Sequence, residues 1–220
     1  MRYFVSLVMI VLVPRALFAQ STGAPASTVR AGARQVLPPT DEIALARSAA
    51  TATISSSSRV MILTDSGYIV GEKGSSTMTC VVNRSWKDSV EPHCYDQEGA
   101  ATVMQIELRR NFLRHRGRSE TEISADIGAG MLSGKYRLPS RPALSYMMSP
   151  RQILYGDDGK LAGKWRPHVM IYYPYLTNQA LGFREQPEMA VGMVSESGDP
   201  QSSIMLIMPK FAEPEPRRAP

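Results

Sequence analysis

The sequence predicts a single α+β domain: an antiparallel sheet of about six to eight strands, with an αα-hairpin and a short N-terminal helix packed on one face. Three observations predict it. Short apolar runs punctuated by Gly, Asp, Ser and Pro fill residues 59–84 and return after Pro139. Between them, residues 96–134 carry apolar side chains at a spacing of four, with capping residues at the ends. At 220 residues, 43% hydrophobic and 20% charged, the chain is long enough for one domain with a real core and short for two.

Residues 1–19 read as a secretory signal peptide. Arg2 gives the positive start, Tyr3 to Val13 the apolar run, and Leu17-Phe18-Ala19 ends on a small residue suited to cleavage. The run is shorter than the roughly 20 residues a helix needs to cross a bilayer, and no later stretch approaches that length. A transmembrane protein is therefore not expected; an exported one, periplasmic or extracellular, is. Residues 20–39 are a Ser, Thr, Ala, Gly and Pro linker with little to bury, expected to be disordered. The folded domain is expected over 40–210, and 211–220 is a Pro, Arg and Glu tail.

Thr40 is placed as an N-cap, with Asp41 and Glu42 in a first turn, for a short helix that fades at 55–58. Residues 59–84 read as a β-meander with strands at 60–63, 68–70 and 78–82, each antiparallel to the next. A loop then begins near Trp86. Cys80 and Cys94 are the chain's two cysteines, and in an exported protein such a pair forms a disulfide, here closing the loop between strand and helix. A loop of that length contributes about 3 kcal/mol in the chain-entropy picture.

Asp96 caps a helix expected to run to about Arg116, with Gly117 as its left-handed terminator and Met104, Leu108 and Phe112 as its buried stripe. Ser119 and Glu122 have capping-box spacing for a second helix, whose stripe is Ile123, Ile127 and Met131 and whose end is Gly134. Strands are then expected at 143–148, 152–155, 161–165, 168–173, 188–194 and 202–208, with turns at 156–159 and 196–200.

Function is less legible. The net charge of +5 falls to +3 when Arg2 and Arg15 leave with the leader; nucleic-acid binders carry a denser basic stripe, so nucleic acid is not the expected partner. The sequence has no G-x-S-x-G, H-E-x-x-H, Walker loop or paired C-x-x-C, and His93, His115 and His168 lack zinc-ligand spacing. No cofactor, metal-ligand set or catalytic residue is assigned from motifs.

Four groups remain. Cys80, His93 and Cys94 place sulfur near imidazole, either as a catalytic thiol or, as favoured here, as a disulfide beside a loop histidine. Ser145, Tyr146, Trp165, His168, Tyr172 and Tyr173 cluster on the later strands. Alternation sets His168, Met170 and Tyr172 on one face, which lines a ligand pocket or is a half-exposed structural face. Met147, Met148, Met170, Met193, Met205 and Met208 fall on expected strands; thioethers with a histidine suit Cu(I), and methionine also fills cores. The arginines from 109 to 118 form either a solvated helix end or a surface for an anionic partner.

Through Thr79-Cys80-Val81-Val82-Asn83-Arg84-Ser85-Trp86, Ser145-Tyr146-Met147-Met148-Ser149 and Pro167-His168-Val169-Met170, the chain resembles a group of uncharacterised exported bacterial proteins. The resemblance spans roughly 65–208. It implies an envelope or extracellular location and brings no activity, cofactor or catalytic residue. The leading expectation is a non-catalytic exported domain that binds a small ligand or an envelope partner through Tyr146, Trp165, His168 and Tyr172. Its rivals are a hydrolase or transferase using His168 as base with Ser145 or Cys80 as nucleophile, and a copper-handling protein.

Overall fold

A computed structural model describes residues 36–84, 89–155, 160–182 and 194–212. The leader, most of the linker, Trp86, the turn at 156–159, most of the strand expected at 188–194 and the end of the tail lie outside the described residues. In chain order the elements are α1 (Pro39–Arg47), α2 (Ala52–Ser55), β1 (Arg59–Thr64), β2 (Gly67–Glu72), β3 (Thr79–Asn83) and β4 (Glu91–Tyr95). Then come α3 (Gln97–Ala101), α4 (Val103–His115), α5 (Glu120–Leu132), β5 (Ala143–Met147), β6 (Leu154–Tyr155), β7 (Leu161–Gly163), β8 (His168–Tyr172), β9 (Val194–Ser195) and β10 (Ser203–Ile207). Among the described residues, eight strands form one sheet in the order β2-β1-β3-β4-β5-β8-β10-β9, and β6 pairs with β7 apart from it. The α+β class and the sheet width are those the sequence predicts. No described helix is long and apolar enough to cross a membrane.

The meander is not what forms. β2 pairs antiparallel with one side of β1, and β3 joins the other side in parallel, through Arg59↔Thr79 and Val60↔Cys80. Burial explains the choice. Every residue of β3 is buried whereas none of β2 is, and only an interior position covers a strand so completely. The connection from β2 passes beneath the start of β1: Ser75 and Ser76 N–H donate to the Ser57 carbonyl at 2.9 and 3.0 Å. Gly74 makes that passage possible, since a Cβ there would lie 2.1 Å from the Arg59 nitrogen.

The loop expected after Trp86 contains a strand, β4, that its Glu, Pro and His disguise. It pairs antiparallel with β3 and sets Cys80 directly opposite Cys94. Their disulfide is thus a rung between neighbouring strands, not the clasp of a loop between strand and helix.

Three helical details also differ. α1 begins at Pro39 with Pro38 as its cap, because proline at the first helical position is already set in φ and lacks only a donor the helix cannot use. The helix capped by Asp96, whose carboxylate accepts from Gly99 N–H at 2.7 Å, breaks at Thr102 (φ −128°, ψ −88°). There the Thr102 hydroxyl donates to the Glu98 carbonyl at 2.6 Å. The stripe of α4 is rotated too: Val103, Met104, Ile106, Glu107, Asn111, Leu113 and Arg114 are buried, while Leu108 and Phe112 are only partly so. Ile106 and Leu113 meet Ile123 and Ile127 of α5, leaving Met104, Glu107 and Asn111 for the sheet.

The termination at Gly117 (φ +77°) is as expected. Gly117 N–H donates to the Arg114 carbonyl and Arg118 N–H to that of Leu113, the paired bonds of a Schellman end. Ser119 and Glu122 form their capping box. The arginine-rich end is tied down by carboxylates: Arg109 to Asp126, Arg110 to Glu107, Arg114 to Glu120 and Arg118 to Glu122.

The helices divide between the two faces instead of sharing one. Ala46 of α1 packs with Cys80, Val82 and Cys94, whereas Val103 and Met104 pack with Val81, Tyr95, Ala143 and Met147. Adjacent strand residues point to opposite faces, so the sheet is sandwiched. Ala212 remains buried and donates to the Met148 carbonyl, which carries the domain two residues past the expected boundary at 210.

Candidate functional site

On the face away from the disulfide, the sheet and α4 enclose a cleft of about 680 Å³ whose far wall is the β9–β10 turn. Strand alternation supplies most of its lining. β3 gives Asn83, β4 gives Glu91, His93 and Tyr95, β5 gives Met147, β8 gives His168, Met170 and Tyr172, and β10 gives Ser203 and Met205. α4 contributes Glu107 and Arg110, three residues apart and so on one side of the helix. Trp165 enters from the segment before β8, and its carbonyl is held by the Gln152 side chain at 2.8 Å.

The polar groups form two sets. One is a chain of neutral hydrogen bonds: Arg84 N–H donates to Asn111 Oδ1 at 3.1 Å, Asn111 Nδ2 to Asn83 Oδ1 at 3.1 Å, and Asn83 Nδ2 to the Tyr95 hydroxyl at 2.8 Å. Beside it, the Ser145 and Tyr172 hydroxyls are 3.2 Å apart. Burial pushes both the Tyr95 and Tyr172 phenols up, so each keeps its proton. The other set spans the mouth. Glu107 Oε1 accepts from Arg110 Nη1 at 2.7 Å, and Arg110 Nη2 donates to Gln201 Oε1 at 3.1 Å.

Two members are left incomplete. Glu107 Oε2 and both ring nitrogens of His93 are buried without a hydrogen-bond partner. His93 is 4% exposed and stacks on Tyr95 at 5.3 Å between ring centroids. Burial, with His168 adding in the same direction, pulls its pKa down to about 3, so the ring is neutral. His168 is also shifted down by burial, against a hydrogen bond to the Arg166 carbonyl. That bond, 2.6 Å from Nδ1, fixes the tautomer: a ring nitrogen so close to a carbonyl oxygen carries the proton, and Nε2 keeps the lone pair.

Of the residues expected at a site, Trp165, His168 and Tyr172 come together in this cleft. Tyr146 does not. It packs on the opposite face, against the disulfide cluster and against Met148 and Val169. Ser145 lies on the cleft face but is fully buried, and its hydroxyl is directed to Tyr172; among the described residues no hydrogen bond joins it to His168. Tyr173 is half-exposed. Cys80 is held in the disulfide, and alternation turns His93 away from the sulfur beside it in sequence.

The methionines separate by the same parity: Met147, Met170 and Met205 line the cleft, Met148 and Met208 pack on the other side, and Met193 lies outside the described residues. Among the described residues no three His, Cys, Asp or Glu side chains form a metal-sized group.

Sequence reasoning missed Asn83, Glu91, Tyr95 and Glu107, and placed Arg110 only in the cationic helix end, not in the cleft. Two signals pointed to them: Glu107 and Asn111 form a polar row of the same spacing beside the apolar stripe, and Glu91, His93 and Tyr95 recur every second residue around Cys94. No protein-family model, curated protein or solved structure matches the chain.

Proposed function

We propose that the domain is an exported binding module whose cleft takes a small organic ligand with amine or hydroxyl donors on a flat apolar body. The observation that carries this reading is the set of unpaired polar atoms, Glu107 Oε2 and the two His93 nitrogens, buried in the wall of this cleft. A buried polar group without a partner costs roughly 1–3 kcal/mol, and a ligand donating to Glu107 and exchanging hydrogen bonds with a neutral imidazole recovers it. Trp165 and the methionines supply the apolar remainder, the usual make-up of a small-molecule site. The leader-like N-terminus and the disulfide support an oxidising, extracytoplasmic setting. A hydrolase or transferase built on His168 needs a nucleophile within reach of that ring, and both Ser145 and Cys80 are engaged elsewhere.

The test is a thermal-shift screen of amine- and hydroxyl-bearing aromatic fragments on chelator-treated protein. A ligand at 100 times its Kd adds about 2.7 kcal/mol of stability, a readable shift. Hits are expected to lose about tenfold or more in affinity in Glu107→Gln, since a hydrogen bond to a charged group contributes roughly 1.5–3 kcal/mol, and to weaken in Trp165→Ala. A screen without hits, or hits indifferent to both substitutions, overturns the reading.

A further inference from the structure

We infer that Met147, His168, Met170 and Met205 form a site for a soft monovalent metal ion, Cu(I), on the floor of the cleft. Register carries the first step. Met147 is the cross-strand partner of His168, and Met205 is the partner of Met170. Met170 follows His168 by two residues, on the same face. Four side chains from three adjacent strands thus occupy two neighbouring rows of one sheet face. Directly opposed residues have Cα atoms only about 4.5–5.5 Å apart, and a thioether on three rotatable bonds adapts readily to such a span.

Chemistry carries the second step. Three thioethers and one imidazole are neutral, soft or borderline donors, the set that selects Cu(I) over Mg²⁺ or Ca²⁺. His168 is already in the state a ligand needs. Its Nδ1 proton is committed to the Arg166 carbonyl, which leaves the Nε2 lone pair available. A backbone carbonyl on the far ring nitrogen is the usual outer support of a metal-binding histidine. Trp165 stands edge-on to His168, 6.2 Å between ring centroids, and lines the same cleft. The Glu91 and Glu107 carboxylates line the same cleft as the four donors, with the Arg110 guanidinium paired to Glu107.

The inference rests on the cleft being a binding site and goes beyond the organic ligand proposed for it, so it is tested separately. Purified protein is titrated with Cu(I) under ascorbate, in competition with a chromogenic Cu(I) chelator, after a thiol assay shows that no free cysteine contributes. One equivalent of Cu(I) is expected to bind. Met170→Leu, Met205→Leu and His168→Gln should each weaken it more than tenfold, and the leucine changes keep volume and packing. Met148→Leu and Met208→Leu, on the opposite face, should leave the affinity unchanged.

Failure of the wild-type protein to withdraw Cu(I) from the chelator overturns the inference. So does equal loss from the two sets of methionines. Should a cleft variant fail to fold, X-ray absorption of the wild-type complex decides: mixed sulfur and nitrogen ligation is expected, and a shell of nitrogen and oxygen alone overturns the site. Fragment binding to the chelator-treated protein with no Cu(I) binding would sink the metal site and leave the organic-ligand reading standing.

Discussion

Glu42→Ala breaks the most deeply buried ion pair described in the molecule. Arg84 Nη1 and Nη2 donate to the two Glu42 oxygens, both at 2.8 Å, and the two side chains are 2% and 1% exposed. An ion pair on the surface contributes at most about 1 kcal/mol. Here the loss is larger, because the guanidinium stays buried after its carboxylate is gone, and breaking such a pair costs about 3–5 kcal/mol. That is a large share of a typical stability of roughly 5–15 kcal/mol. The effect should also reach the cleft, since the Arg84 backbone holds both Asn111 and, through its carbonyl, Arg114.

Urea denaturation followed by circular dichroism measures the change, and the double variant Glu42→Leu/Arg84→Met completes the cycle. Removing both charges should recover most of the loss, because apolar replacement of a buried pair is often neutral or stabilising. If Glu42→Ala costs less than about 1 kcal/mol, the pair behaves as a solvated one. If the double variant is as unstable as the single, an unpaired charge is not the cause. Either result refutes the reasoning.

Three further outcomes are expected. Denatured, unreduced protein should show no free thiol, and Cys80→Ser/Cys94→Ser should unfold about 3 kcal/mol more easily, checked by urea melts; a count of two thiols would remove the cross-strand rung. Gly74→Ala should cost about 1–3 kcal/mol of overpacking, because its Cβ meets the Arg59 backbone, whereas helical Gly128 has nothing within 4 Å of a Cβ and Gly128→Ala should gain up to about 1 kcal/mol; both are read from thermal melts. The hydrogen bonds from Arg109, opposed by some desolvation, hold the Asp126 carboxyl below its usual range. A depressed carboxyl stabilises the fold above the unfolded-state pKa, about 3.9, and that stability is lost as pH falls through the folded value. Acid unfolding of Asp126→Asn should therefore be shallower than wild type below about pH 4, and identical slopes would mean that the pair is screened.

What the sequence revealed and what it hid follow from where each signal lives. Caps are local, and Asp96, Ser119–Glu122 and Gly117 all behave as their chemistry predicts. Strand partnership is not local. Nothing in 59–84 says on which side of β1 the third strand is added; that depends on which strand the whole sheet buries, and on Gly74 slipping under Arg59. β4 was hidden because Glu91, Pro92 and His93 are poor strand formers, tolerated there by a half-polar interior. The same interior explains the misplaced stripe of α4. Met104, Leu108 and Phe112 make a regular apolar row, yet the face turned to the sheet holds Glu107 and Asn111, since the cleft beneath is lined with hydroxyls, amides and imidazoles. The cleft residues legible in sequence were those on β8, where alternation is clean, and Trp165 just before it; Tyr146 lies on the other face, since adjacency in sequence is not adjacency in space.

Parity along the strands gives the two faces different work. The face under α1 is a packed cluster of Ala46, Val60, Val82 and the disulfide, bordered by the buried Arg84–Glu42 pair, with a covalent rung fixing β3 to β4. The opposite face presents His93 one residue before Cys94 and Tyr95 one residue after, so the bond that fixes Cys94 also fixes the spacing of two cleft side chains without touching either. A rigid strand with polar residues on its far side keeps unpaired groups aimed into a cavity instead of letting them turn toward water. Truncating Val82 should therefore lower stability while sparing ligand contacts, and truncating Trp165 should do the reverse. If both truncations move stability and binding together, the two faces are not separable and the cleft is only a packing fault of one core.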